Sequence, residues 1–228
     1  MPTIIAIETS TELASVALLR NGSVSKRQSS GAQTHSMTVL AMLQDLMQQA
    51  GITLSQCDAL AFGMGPGSFT GVRTACGLAQ GLAFGAAIPV VPVVTLLAIA
   101  DAARRDGAGD NIVSILDARM GEVYWAQYCF QGEWEVVIAP TLSKPSALRP
   151  EGIVHACGNG LAAYADDFLQ LGDMPRHAAI APHATDIAQL AVSAVNRGEM
   201  LHARDAQPLY LRNKVALTTV ERLVGVSV

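Results

Sequence analysis

The sequence is short of charge, of aromatic rings and of basic clusters, and each shortage excludes something. Charged residues make up 15% of the 228, against about 25% in an ordinary globular chain. With half of the residues hydrophobic, intrinsic disorder is excluded, and no sustained heptad supports a coiled coil. Lys and Arg number 15 against 19 Asp and Glu, a net charge of −4. They never cluster beyond pairs such as Lys26-Arg27 and Arg104-Arg105. Tight stand-alone binding of RNA or DNA, which needs a basic stripe to neutralise phosphates, is therefore disfavoured. Aromatics are 5% of the chain. The apolar mass is Ala, Val, Leu and Met, which suits smooth, closely packed surfaces. Cys57, Cys76, Cys129 and Cys157 are far apart and form no C-x-x-C. That pattern fits buried thiols in a reducing cytoplasm, not a disulfide frame or a zinc site. His155, His177, His183 and His202 show no metal-helix spacing, and no G-x-S-x-G is present. The opening MPTIIAIETS lacks the positive region and cleavage site of a signal peptide. Thr74 to Ala100 carries no charge and is long enough to span a bilayer. Gly85, Pro89 and Pro92 cut it into helix, strand and helix, so it reads as a buried α/β unit and no membrane segment is expected.

What is present is a strong element order. Ile4–Ile7, Ala14–Arg20 and Ser23–Gln28 read as a three-strand meander, with Asn21-Gly22 as its hairpin turn. Ser36–Ala50 reads as a helix, Ala59–Gly63 as a strand and Thr70–Phe84 as a helix. Val90–Val94 and Thr95–Arg105 follow as strand and helix, giving β-β-β-α-β-α-β-α. After Gly107-Ala108-Gly109 the pattern restarts with strands at Ile112–Leu116, Glu122–Phe130 and Glu133–Ile138. A Pro-rich connection, Pro140–Pro150, replaces the first helix. Ile153–Ala156 is a strand, and Leu161–Leu171 and Thr185–Asn196 are helices. The reading is α/β, in two lobes of duplicated topology, 1–106 and 107–228, with the last residues able to pack back on the first lobe. Early antiparallel hairpins followed by βαβ crossovers exclude a doubly wound dinucleotide fold.

Two loops have ligand character. Glu8-Thr9-Ser10-Thr11 is a hydroxyl-rich turn, which can hold a phosphate or simply make the turn. Gly63–Arg73 (GMGPGSFTGVR) is a glycine-rich strand-to-helix loop with Ser68 or Thr70 placed to cap. A helix start attracts anions, although no Lys-Ser/Thr pair makes it a P-loop. The candidate phosphate or nucleotide contacts are Glu8, Thr9, Ser10, Gly65, Gly67 and Ser68. The alternative is that the glycines only permit a tight turn and close packing. His35, ahead of the first long helix, reads as a capping or packing residue.

The two helices of the first half are the most informative. On a wheel, the apolar residues of Ser36–Ala50 fill roughly 220°, where a one-sided surface helix needs little more than about 100°. Three Met on that helix suit an adaptable surface. Thr70–Phe84 carries one charge, Arg73, and small residues at Gly71, Ala75, Gly77, Ala79 and Gly81. Either both helices present a face to another chain, or both are buried in a larger lobe.

Together, ETST at 8–11, GPGSFTGVR at 65–73, DARMGEVY at 117–124 and PLYLR at 208–212 resemble the bacterial TsaB (YeaZ) family of tRNA threonylcarbamoyladenosine biosynthesis proteins. The motifs span nearly the whole chain. The resemblance implies the actin-like ATPase, ribonuclease H-like fold. It also implies a catalytic, metal-dependent relative, TsaD, with an H-x-x-x-H after the equivalent loop, helix and strand. Those two positions fall here on Thr95 and Ile99, and neither is an imidazole ligand. The implied role is a non-catalytic cytoplasmic subunit with no metal and no cofactor of its own. It would pair with TsaD, joined by the ATPase TsaE, for threonylcarbamoyl transfer to the adenosine beside the anticodon. The implied interface is a helical bundle built on the two helices, here Met37, Leu40, Leu43, Met47, Val72, Ala75 and Ala79. A homodimer through the same face is expected without TsaD, with nucleotide at most at the shared interface and tRNA reached only through the complex. The competing reading is a stand-alone ATP-binding enzyme or a metal-dependent glycopeptidase. The role of Pro208–Arg212 is left open, with packing of Leu209 and Leu211 as the default.

Overall fold

The computed structural model describes residues 1–30, 35–168, 172 and 174–212. The first half contains β1 (Ile4–Glu8), β2 (Leu13–Arg20), β3 (Ser23–Ser30), α1 (His35–Ala50), β4 (Ala59–Gly65), α2 (Phe69–Ala86), β5 (Val90–Val94) and α3 (Thr95–Arg105). The second half contains β6 (Asn111–Arg119), β7 (Glu122–Phe130), β8 (Trp134–Ser143), β9 (His155–Cys157), α4 (Gly160–Ala163), α5 (Ala165–Phe168), β10 (Arg176–His177) and α6 (Ala184–Arg197). The sheets run β3-β2-β1-β4-β5 and β8-β7-β6-β9-β10, the same order twice. In each, the first three strands are antiparallel and the last two are added in parallel. Asn21 and Gly22 both have positive φ, 52° and 77°, as a two-residue hairpin loop requires.

Alternate residues of a strand face opposite sides of its sheet, and here both sides are buried. Ile5, Ile7, Val16 and Leu18 pack with α1 and α2. Ile4, Ala6, Ala17 and Leu19 pack with Ala184, Ile187, Ala188 and Ala191 of α6. This is why β1 has no polar face until Glu8. The coverage crosses the midpoint of the chain. Helix α3, from the first half, lays Leu96, Ile99 and Ala103 on Ile112, Leu116 and Tyr128 of the second sheet. Helix α6, from the second half, covers the first. The two helices are tied by Arg105 to Asp186 and contact each other directly. The restart near residue 107 marks a repeat of element order, while packing interleaves the halves.

Three second-half elements differ from the sequence reading, one of them β10, a two-residue strand between two expected helices. β8 runs through Pro140, because it is an edge strand whose pairing is broken by register shifts, and an edge strand tolerates a missing N–H. The single helix expected at Leu161–Leu171 is two short ones broken at Tyr164, and 169–171 lie outside the described residues.

His183 anchors α6. Its Nδ1 accepts from the Thr185 amide at 3.1 Å and its Nε2 meets Gln28 Oε1 at 3.0 Å, which requires a neutral ring. Burial, and then the nearby Lys26 charge, push its pKa from 6.5 down to about 4. The unfolded chain takes a proton near 6.5 and the folded one only near 4, so this contribution to stability is lost as pH falls through that window. Asp186 works the other way. Burial pushes its carboxyl up from 3.8 to about 6 against the opposing pull of Arg105, so its contribution declines as pH rises through that range. His183→Asn keeps a helix cap and removes the first of these groups. Its Tm should fall less than the parent's between pH 6.5 and pH 4, as thermal melts across that range would read.

Candidate functional site

The β1–β2 turn and the glycine loop interlock. Glu8 is fully buried, and the space beside Gly63 that a Cβ would take is filled by its carboxylate. Ser10 N donates to Glu8 at 2.5 Å and Thr95 Oγ1 donates at 3.3 Å. Burial raises the carboxyl above its ordinary value, partly offset by bonds from Ser10, Thr95 and Thr9. Thr9 Oγ1 donates to Gly71 O at 2.7 Å, and Ser68 N donates to Ser10 O at 2.7 Å. A Cβ at Gly67 would sit 2.6 Å from Ser10, and one at Gly71 would overlap the Thr9 carbonyl. The glycines at 67 and 71 therefore admit the close approach of the chain's own turn. Of the six expected contacts, Ser10, Gly67 and Ser68 line an open cleft, whereas Glu8, Thr9 and Gly65 are enclosed behind it and cannot touch a ligand there.

That cleft, of about 410 Å³, lies between the lobes. One wall is the β6–β7 turn, where Arg119 and Met120 both take positive φ, 61° and 58°. Arg119 pairs with Asp117 at 3.0 Å and reaches across the cleft to Glu12 at 2.9 Å. Asp117 also accepts from Tyr164 Oη at 2.9 Å, and its amide donates to Asn159 at 3.0 Å. On the rim, Arg73 lies 3.5 Å over the Phe69 ring and donates to Tyr210 Oη at 2.6 Å. Tyr210, Arg212 and Asn159 also line the cleft, and the sequence did not point to them as cleft residues. The PLYLR motif was the available signal, but residues so far from the loop in sequence gave no distance.

The helix pair divides differently from the wheel. Leu43, Ala75 and Ala79 are buried in the first lobe's core, and Val72 is buried against the interlobe cleft, so none of the four is a surface contact. Helices α1 and α2 lie side by side on one sheet face, and that contact uses a wider arc than a lone surface helix needs. Met47 is half-buried against the same core. Met37 is 75% exposed and Leu40 38%, and Phe84 on α2 is 73% exposed. At Gly77, Gly81 and Gly85 a Cβ would meet nothing within 4 Å, so these four-spaced glycines form an open stripe. The outward face is thus Met37, Leu40, Phe84 and the glycine stripe. Phe84 and Gly85 went unremarked as surface residues in the sequence.

Thr95 is committed to Glu8, and Ile99 is fully buried in the second core. Among the described residues, no three His, Cys, Asp or Glu side chains group to hold a metal, and no helix is long and apolar enough to cross a membrane.

Two five-stranded sheets of identical order, with interleaved helices and a cleft between them, define an actin-like, ribonuclease H-like α/β protein. The family described as TsaD, tRNA N6-adenosine threonylcarbamoyltransferase, matches residues 29–216. The Escherichia coli tRNA threonylcarbamoyladenosine biosynthesis protein TsaB is 38% identical over 221 residues, 93% of this chain and 96% of the relative. The Haemophilus influenzae protein of the same name is 38% identical, covering 93% and 94%. The solved structure of YeaZ from Pseudomonas aeruginosa superposes with a TM-score of 0.84 at 38% identity, over 92% of this chain and all of that one. The chain belongs to the TsaB (YeaZ) family, within the wider TsaD-type group.

The two glycine environments predict opposite mutational costs. Gly71→Ala forces a Cβ into backbone and should cost about 3 kcal/mol, the upper end of an overpacking penalty. Gly77→Ala, in open space inside a helix, should gain roughly 0.5–1 kcal/mol. Urea unfolding of the two variants checks the contrast.

Proposed function

We propose that this protein is a non-catalytic subunit in the formation of threonylcarbamoyladenosine in tRNA, acting by holding TsaD through the outward face of α1 and α2. The observation that carries the reading is the exposure of Met37, Leu40 and Phe84 beside an open glycine stripe. Large apolar side chains on one face lose their hydration cost only when another surface covers them. The stripe lets a partner helix approach closely. Thr95 and Ile99, standing where the resemblance implies TsaD's histidines, support a subunit that leaves the chemistry to its partner. The low, scattered positive charge supports tRNA contact through the complex. TsaE joins that complex in the cytoplasm, a second copy of this chain takes the same face when TsaD is absent, and any nucleotide is held jointly with TsaD.

Leu40→Asp and Met37→Asp each place a carboxylate where it would be desolvated without a partner charge, and should weaken pairing about 100-fold. Both sites are exposed, so the isolated chain should melt as before. Co-purification with TsaD and reconstituted tRNA modification provide the readouts. Undiminished pairing in both variants would sink this assignment of the interface.

The competing reading, an independent ATP-dependent enzyme, draws on the interlobe cleft. The filled glycine loop speaks against it. Calorimetry of the isolated chain with ATP and Mg²⁺ is expected to show no tight binding, and turnover by this chain alone would overturn the subunit role.

A further inference from the structure

We propose that Pro208–Arg212 is an interlobe latch, a strap anchored on the first lobe that closes the mouth of the cleft by gripping the β6–β7 turn of the second. The anchoring begins well before the motif. Val90 and Leu201 exchange backbone hydrogen bonds, both 2.9 Å, which attaches the chain to the edge of β5. Ala203 and Ala206 are buried in the first lobe's core, and Gln80 Nε2 donates to Ala206 O at 2.9 Å. Leu209 N then donates to Met64 O at 2.7 Å at the end of β4, and Tyr210 accepts from Arg73. Two residues later the chain changes sides. The Arg212 guanidinium pairs with Glu122 and lies 3.4 Å from Met120 Sδ and 3.5 Å from the Arg119 carbonyl.

The two lobes are already joined at the closed end of the cleft by α3 and α6. Rotation about that joint would move the mouth most, and a tie there resists opening with the longest lever. Two ion pairs cross to the turn. Glu12 and Arg119 are each 73% exposed, so their pair contributes little. Arg212 and Glu122 are 14% and 31% exposed, so their pair is better shielded from solvent and carries the closure. The same strap holds Arg73 near the start of α2, so the latch also links the cleft mouth to the helix that bears the outward face. This inference concerns the isolated chain and stands whether or not TsaD is its partner.

Hydrogen exchange of the isolated chain, read peptide by peptide, tests it. With Arg212→Ala, exchange should rise roughly fivefold in both 119–124 and 208–211, the factor equal to the upper range for a partly exposed pair. Helix α6 and β1 should not change. Glu122→Gln should do the same, and the charge swap Arg212→Glu with Glu122→Arg should restore protection in both segments. Arg197→Ala, which removes an exposed pair with Glu199 elsewhere, is the control. If 119–124 exchanges at its original rate in both single variants, if the rise spreads evenly over the chain, or if the swap restores nothing, the latch is wrong.

Discussion

The structure depends on an exchange of cover between its two sheets. Each sheet would expose an apolar face if it had only helices from its own half. Helix α3 covers the second sheet and α6 the first, and the pair fills the layer between them. Many residues at the α6 contact are small on both sides, with Ala6, Ala17, Ala59 and Ala61 in one cluster with Ala184, Ala188 and Ala191, beside Ile4, Leu19 and Ile187. Close approach of a helix to a sheet needs such residues, and close packing supplies dispersion contacts that bulkier side chains would supply by size. The Ala-rich, aromatic-poor composition is therefore the composition of this layer. The cleft exists because the layer joins the lobes at one end only.

Much of the fold was legible. Asn21-Gly22 announced its hairpin, Thr95–Arg105 was bounded as observed, and the restart after Gly107 disclosed the duplication. These are local signals, set by periodicity and turn chemistry. Elements held by tertiary contacts read less well. β9 and β10 are three and two residues long, too short for any period, and they exist because β6 pairs with β9 and β9 with β10. The Pro140 break was overridden by an edge position that no local rule identifies.

The site was legible in part, for a physical reason. A wheel measures how much of a helix is apolar but not where the covering surface lies. It counted Leu43 as surplus when the first lobe's core takes it, and Ala75 and Ala79, expected at the interface from their small size on the second helix, are taken by the same core. The outward face shrank to Met37 and Leu40, and gained Phe84 and an open line of glycines. Likewise, a glycine-rich loop before a helix reads the same whether it receives a phosphate or a turn of its own chain. Only the placement of Thr9 and Ser10 beneath it decides.

The interleaving of α3 and α6 also constrains synthesis. When the first half of the chain has left the ribosome, its sheet lacks the cover that residues 184–197 will supply. Helix α3 is then present without the sheet it packs on. Ile4, Ala6, Val91 and Val93 face water until nearly the whole chain has emerged. The first half therefore cannot mature as a free-standing unit, and cutting the gene at the midpoint should yield two fragments that are sticky alone and fold only when mixed.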